Sequence, residues 1–109
     1  MTIRTLIRPM NRKEGVIKFS TGEGYEHFKT KCEICWWLKK NKIPFYCEAI
    51  FETGGRADVL ADYDKYGVAY EIHNTETKER MIKKTETYPS EISLVFIKAG
   101  SEITDEIMN

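Results

Sequence analysis

The spacing of apolar residues changes period along the chain, and each period predicts an element. Over Glu23–Asn41, at about 100° per residue, Phe28, Ile34, Cys35 and Leu38 fall on one side and Glu26, Lys29, Glu33 and Lys40 on the other, which predicts a first helix. Trp36 flanks the apolar stripe and is expected in the core. Trp37 lies outside it and is expected at a dimer contact or against a stacked base. Asn41-Lys42-Ile43-Pro44 ends the helix. Phe45–Glu52 then alternates as a strand, with Phe45, Cys47, Ala49 and Phe51 on one side and Tyr46, Glu48, Ile50 and Glu52 on the other. After Thr53-Gly54-Gly55, where glycine allows a close approach or a positive φ, come two more strands, Arg56–Ala61 and Val68–His73. The Asp62–Gly67 segment between them has turn composition. A second helix is expected from an N-cap at Thr75 to about Thr87, with Met81 and Ile82 as a thin apolar face, until Tyr88-Pro89-Ser90 breaks it. Ile92–Lys98 is almost continuously apolar and reads as a buried, sheet-central strand. At the ends, Gly15–Ser20 reads as a short strand and Gly100–Asn109 as a weak helix or frayed acidic tail.

Composition narrows the class. A chain of 109 residues with 41% hydrophobic and 12% aromatic content is one globular domain, 1–109, with a basic N-terminal segment over 1–24 and an acidic tail over 100–109. Formal net charge is zero, so nucleic-acid contact requires a local patch rather than a basic surface overall. No apolar run approaches the roughly 20 residues that span a membrane, and the first residues lack the apolar core of a secretory leader. The expectation is a soluble protein of the cytoplasm, or of the host cytoplasm if the source is viral. Three cysteines do not suggest a secreted disulfide scaffold.

The candidate chemistry sits in the paired strands. Arg56, Asp58 and Leu60 share one face of the first strand, and Ala69, Glu71 and His73 one face of the second. Asp58 and Glu71 can therefore meet side by side, with His73 two residues on. Two acids set mid-strand among Ala, Val and Ile repel each other and resist desolvation. A divalent cation removes both penalties, and so does simple exposure of that face to water. On the first helix, His27 and Lys31 land one turn apart on the apolar side, either as active groups or at the edge of the stripe with Lys31 reaching to water. Glu48 interrupts its strand, as a third acid facing the pair or as a solvated side chain. The second helix carries Lys78, Arg80, Lys83 and Lys84, a charge pattern suited to a phosphate backbone and also to an exposed helix balanced by Glu76, Glu79 and Glu86. The segment with Arg4, Arg8, Arg12, Lys13 and Lys18 allows phosphate contact or a solvated arm. Cys32-x-x-Cys35 has no Trp before its first Cys and no fourth ligand beyond Cys47, His27 and His73. It reads as buried thiols, with a redox or zinc site as the competing class.

Asp58, twelve further residues and then Glu71-Ile72-His73 resemble the core motif of the PD-(D/E)XK nuclease superfamily. The wider match, Gly55-Arg56-Ala57-Asp58-Val59-Leu60-Ala61 followed by Ala69-Tyr70-Glu71-Ile72-His73-Asn74-Thr75-Glu76, is similar to the branch of small archaeal and viral nucleases and competence-protein nuclease domains. The resemblance spans about Tyr25 to Lys98 and departs from the pattern in Ala57, where Pro is usual, and in His73, where Lys is usual. It implies an α/β, restriction-endonuclease-like mixed sheet in the order α-β-β-β-α-β, with the first helix on one face and the second on the other. It implies Mg²⁺ or Mn²⁺ on Asp58, Glu71 and the Ile72 carbonyl, with Glu48 or a helix glutamate, Glu26 or Glu23, as a further ligand. By the helical wheel Glu26 points away. His73 would orient or deprotonate the attacking water, and activity would then rise near pH 6.5. Lys31, in an H-x-x-x-K element with His27, would supply the cationic charge. Arg56, His27, Lys78, Arg80, Lys83 and Lys84 would hold DNA, and a homodimer would cut both strands. The alternative is a degenerate module of the same fold that binds nucleic acid or a protein without cleaving.

Overall fold

The computed structural model describes residues 3–109; Met1 and Thr2, the first two positions of the basic segment, lie outside them. Helix α1 is Tyr25–Lys40, followed by β1 (Phe45–Ile50), β2 (Arg56–Asp62), β3 (Gly67–His73), α2 (Lys78–Thr85), β4 (Ile92–Lys98) and α3 (Asp105–Met108). One four-stranded sheet runs in the order β1-β2-β3-β4. The first two pairings are antiparallel and β3–β4 is parallel, so the sheet is mixed and the fold is α/β. A parallel pair needs a crossover connection, and α2 supplies it. Among the described residues no helix is long and apolar enough to cross a membrane.

The sheet has an apolar cluster on each face. On one, Ile34, Cys35, Trp37 and Leu38 of α1 pack on Val59, Ala61, Val68, Tyr70, Ile72 and Ile97. On the other, Tyr46, Ala49, Leu60 and Ala69 pack with Ile3, Ile7, Phe51 and Tyr88. The second face is thus covered largely by the N-terminal segment. That segment makes two short 3-10 turns, Ile3–Leu6 and Pro9–Asn11, and lies along the outer edge of β1. Arg8 N donates to Ile50 O at 2.9 Å and Glu52 N to Leu6 O at 2.9 Å. The basic arm is therefore a packed element, and the strand expected over Gly15–Ser20 is irregular backbone instead. Helix α2 buries only Thr85.

Several expectations change for identifiable reasons. Trp37, not Trp36, enters the core: Trp37 is 7% exposed and Trp36 59%. The indole N–H of Trp37 donates to Asp105 at 2.8 Å, and Met108 joins the same cluster, so the C-terminal residues form a docked lid over that flank and not a frayed tail. The cap of α2 is Thr77, whose hydroxyl accepts from Arg80 N at 3.3 Å, rather than Thr75. Strand β4 is an edge strand, not a central one: Leu94 and Phe96 are part-exposed while Val95 and Ile97 pack inward. The alternation of β1 slips at Glu48, whose φ is 53°, so Ala49 and Phe51 join the cluster of Tyr46 rather than the side of Phe45.

Candidate active site

Strands β2 and β3 pair from Asp62↔Gly67 to Val59↔Tyr70 and then part. Asp58 and Glu71, next in line, are not backbone partners. The Asp58 side chain bridges the opening instead, its Oδ2 accepting from Ile72 N at 2.8 Å. In β1, Glu48 drops out of the ladder between the pairs Cys47↔Val59 and Ala49↔Ala57. Its left-handed φ is costly for a residue with a Cβ. The sheet is therefore irregular at adjacent positions on three strands, and polar side chains from both faces meet there.

From one face α1 delivers His27. Its Nδ1 bonds to Glu23, and its Nε2 lies 3.6 Å from Asp58 Oδ2. From the other, α2 delivers Lys84, whose Nζ lies 2.8 Å from Glu71 Oε1 and 3.8 Å from Asp58 Oδ2. The C-terminal end of α2 is fixed by the buried Thr85, whose hydroxyl donates to Met81 O at 3.1 Å. Three residues on, Tyr88 packs on Phe51 with ring centroids 4.8 Å apart and donates its hydroxyl to Arg56 O at 2.6 Å.

The environment separates the two carboxylates. Burial works to raise the pKa of Asp58, but His27, Lys84 and the Ile72 amide outweigh it and hold the carboxyl below its usual range. Glu71 is pushed up to about 7 by burial and by the charge of Asp58, against the pull of Lys84. Asp58 is ionised at neutral pH while Glu71 stands near its midpoint. Asp58 raises the pKa of His27 against the effect of burial, with Glu23 adding to it. Burial works to lower the pKa of Lys84, but Glu71 and Asp58 carry it above the usual lysine value.

Both oxygens of Glu71 are buried, and the Lys84 ammonium, 2.8 Å from Oε1, is the close cationic partner of this carboxylate. Two adjacent hard carboxylates suit Mg²⁺ or Mn²⁺, which take one or two protein carboxylates and keep several waters. Among the described residues no three His, Cys, Asp or Glu side chains converge as a ready metal cage. The site fits a cation completed by water, backbone carbonyl and substrate oxygens rather than one enclosed by protein.

A second charged group lies beside the first. Lys31 is fully buried, 2.9 Å from Glu23 and 3.5 Å from Glu48 Oε2. Lys31, expected to bring charge to Asp58 and Glu71, instead neutralises Glu23 and Glu48. Glu48 also bonds to the Ser20 hydroxyl and pairs with Arg56 Nε at 3.4 Å. The helix glutamate turned into this network is Glu23, just ahead of α1; the carboxylate of Glu26 packs at Gly100. His73 lies half-buried in a small pocket with Glu71, Glu76, Arg80 and Lys84, without a hydrogen bond to either site carboxylate. Lys78, Arg80 and Lys83 are exposed on α2. An open cleft of about 610 Å³ leads to Asp58 past Tyr25, His27, Arg56, Asn74 and Lys84. Cys32, Cys35 and Cys47 are free thiols.

The family model described as the competence protein CoiA nuclease-like domain matches residues 23–105. The chain belongs to this family. No curated protein and no solved structure matches the chain. The matched span of this CoiA-type nuclease-like domain holds Glu23, His27, Asp58, Glu71 and Lys84, so every side chain of the opening belongs to it. Strand alternation put Asp58 and Glu71 on facing sides of neighbouring strands, and the family resemblance, not spacing alone, made them the expected site. The sequence did not single out Lys84 from its neighbouring lysines, or Tyr88 as the anchor behind it, because both reach the site only through the crossover.

Proposed function

We propose that this CoiA-type domain is a metal-dependent nuclease of the PD-(D/E)XK kind that hydrolyses phosphodiester bonds in DNA. The observation that carries this reading is the buried Asp58–Glu71 pair, two carboxylates brought together at the parting of β2 and β3. Asp58, Glu71 and the Ile72 carbonyl would hold Mg²⁺ or Mn²⁺. Bound there, the cation would lower the pKa of a water and offset charge on the phosphate. His27 keeps Asp58 ionised and oriented, and the Ile72 amide fixes its second role as a strand bridge. Arg56, half-exposed at the cleft, reaches for the substrate backbone, and the exposed Lys78, Arg80 and Lys83 extend that surface. His73 orients the attacking water from the pocket it shares with Glu71. With phosphate-binding groups around the cleft and no inserted reading helix, selection would follow DNA structure rather than sequence.

The test is cleavage of single-stranded, duplex and branched DNA with Mg²⁺ or Mn²⁺, wild type against Glu71→Ala. Cleavage by wild type that the substitution abolishes is the expected result. A second reading is a non-cleaving binding module, favoured by the fact that Lys84 already compensates the two carboxylates. Under it Mn²⁺ would leave the melting temperature unchanged, and Asp58→Ala would bind DNA as well as wild type or better.

A further inference from the structure

Lys84 stands apart from the other cations of the domain. Among the described residues it alone is ion-paired with both Asp58 and Glu71, at 3.8 and 2.8 Å. His27 reaches Asp58 only, and Lys31 and Arg56 are paired with the Glu23–Glu48 group. The Lys84 ammonium thus lies where a cation shared by the two carboxylates would lie. Its side chain is nevertheless 46% exposed and lines the open cleft, so it is not locked into the interior as Lys31 is. The helix that bears it is loosely held along its length and anchored at its C-terminal end by Thr85 and Tyr88. That anchoring fixes the Cα of Lys84 while the long stem leaves its ammonium free to turn. Strand β3, by contrast, offers only His73 at its end, with no tie to either carboxylate.

We infer that Lys84, supplied by α2, is a catalytic residue of this site, and that in the free protein its ammonium holds the position of the divalent cation. This rests on the nuclease reading above. With a divalent cation held by Asp58 and Glu71, the Lys84 ammonium would no longer be needed between them and would turn into the cleft to contact a non-bridging oxygen of the scissile phosphate. The lysine remains protonated throughout and acts by charge alone. Water adds to phosphorus, the P–O bond to the leaving strand breaks with its electron pair on the leaving oxygen, and the proton of the attacking water passes to solvent.

The two roles predict opposite effects of one substitution. Lys84→Met removes a competitor from the carboxylates and should bind Mn²⁺ about tenfold more tightly than wild type in calorimetry without DNA, the scale of one charged contact. The same variant at saturating Mn²⁺ should cleave about 100-fold more slowly, the scale of losing one transition-state donor. Lys84→Arg keeps the charge and should return the Mn²⁺ affinity towards wild type. Lys40→Met, which removes one exposed charge from the end of α1, should change neither quantity. Equal Mn²⁺ affinity in Lys84→Met and wild type, or undiminished cleavage by Lys84→Met, overturns the inference. Absence of Mn²⁺ binding in both proteins overturns it as well. Wild type that binds Mn²⁺ but cleaves no form of DNA overturns the nuclease reading and with it the catalytic role. The ratio of the two affinities separates that result from a failure of Lys84 to hold the cation position.

Discussion

Glu71 is the residue whose environment is most at odds with its chemistry. It is 3% exposed, beside the charge of Asp58, and burial with that charge raises its pKa to about 7. The folded state therefore holds a proton over the interval from 4.5 to about 7 in which the unfolded chain has lost it. Stability falls as pH rises through that window and levels off above it. The contribution is on the order of 3 kcal/mol. Glu71→Gln lacks the titration, so its stability relative to wild type should improve by about that amount between pH 4.5 and pH 8. Denaturant unfolding of both proteins at the two pH values checks this; a constant difference would sink it. A divalent cation held by the ionised form should bind more tightly as pH rises through 7. Lys31 shows the opposite solution to burial. It is fully enclosed and paired with two carboxylates, so removing it would take from Glu23 and Glu48 their buried cation and leave them only His27, Ser20 and Arg56.

At the scale of elements, the turn before β2 and the end of α2 depend on one another. Gly55 has φ of 78°, and a Cβ there would lie 2.8 Å from the Tyr88 ring and 2.9 Å from the Thr87 hydroxyl. Gly54 has φ of 94° with nothing within 4 Å of such a Cβ. Gly54→Ala should therefore cost only the conformational strain, about 1 kcal/mol. Gly55→Ala should cost more, roughly 2 kcal/mol or above, because Tyr88 must also move. Denaturant midpoints of the two variants measure the difference; equal midpoints would refute the close approach. The consequence reaches the site, since Tyr88 ties the segment after α2 to β2 through the Arg56 carbonyl, and α2 carries Lys84.

For the whole molecule, the last residues close one core and the first close the other. Met108 is buried, its carbonyl accepts from the Tyr70 hydroxyl at 3.0 Å, and Asp105 accepts from Trp37. Ending the chain after Gly100 uncovers Tyr70 and Trp37. It should lower stability by about 3 kcal/mol, from the loss of Met108, Ile103 and Ile107 packing. A truncated protein as stable as the full chain in thermal unfolding would show that this lid contributes nothing. On the opposite face Ile3 and Ile7 have the same part, and the basic residues among them ride on a packed segment.

The sequence by itself determined the succession α1, β1, β2, β3, α2, β4 and the strands that carry the acidic pair, though not the backbone of Gly15–Ser20 or the cap of α2. Hydrophobic period is a local property, so α1, β1–β3 and β4 were legible within a few residues at their ends, and β4 to the residue. Asp58 and Glu71 stood out for the same reason, since an acid in the middle of an apolar strand is a local anomaly, but whether that face is solvated or buried was left to the fold, which buries both. What the tertiary structure decided was every relation that depends on more than one element. It put β4 at an edge, because a parallel crossover lands beyond β3. It rotated Trp37 inward, because the C-terminal residues came to cover that side. It gave Lys31 to Glu23 and Glu48 through a slip at Glu48 that no periodicity records. It also chose Lys84 from four basic residues on α2, because only the anchored end of that helix brings a cation to the opening between β2 and β3. Pattern along a chain reports whether a side chain is buried; its partner is fixed only when distant segments pack.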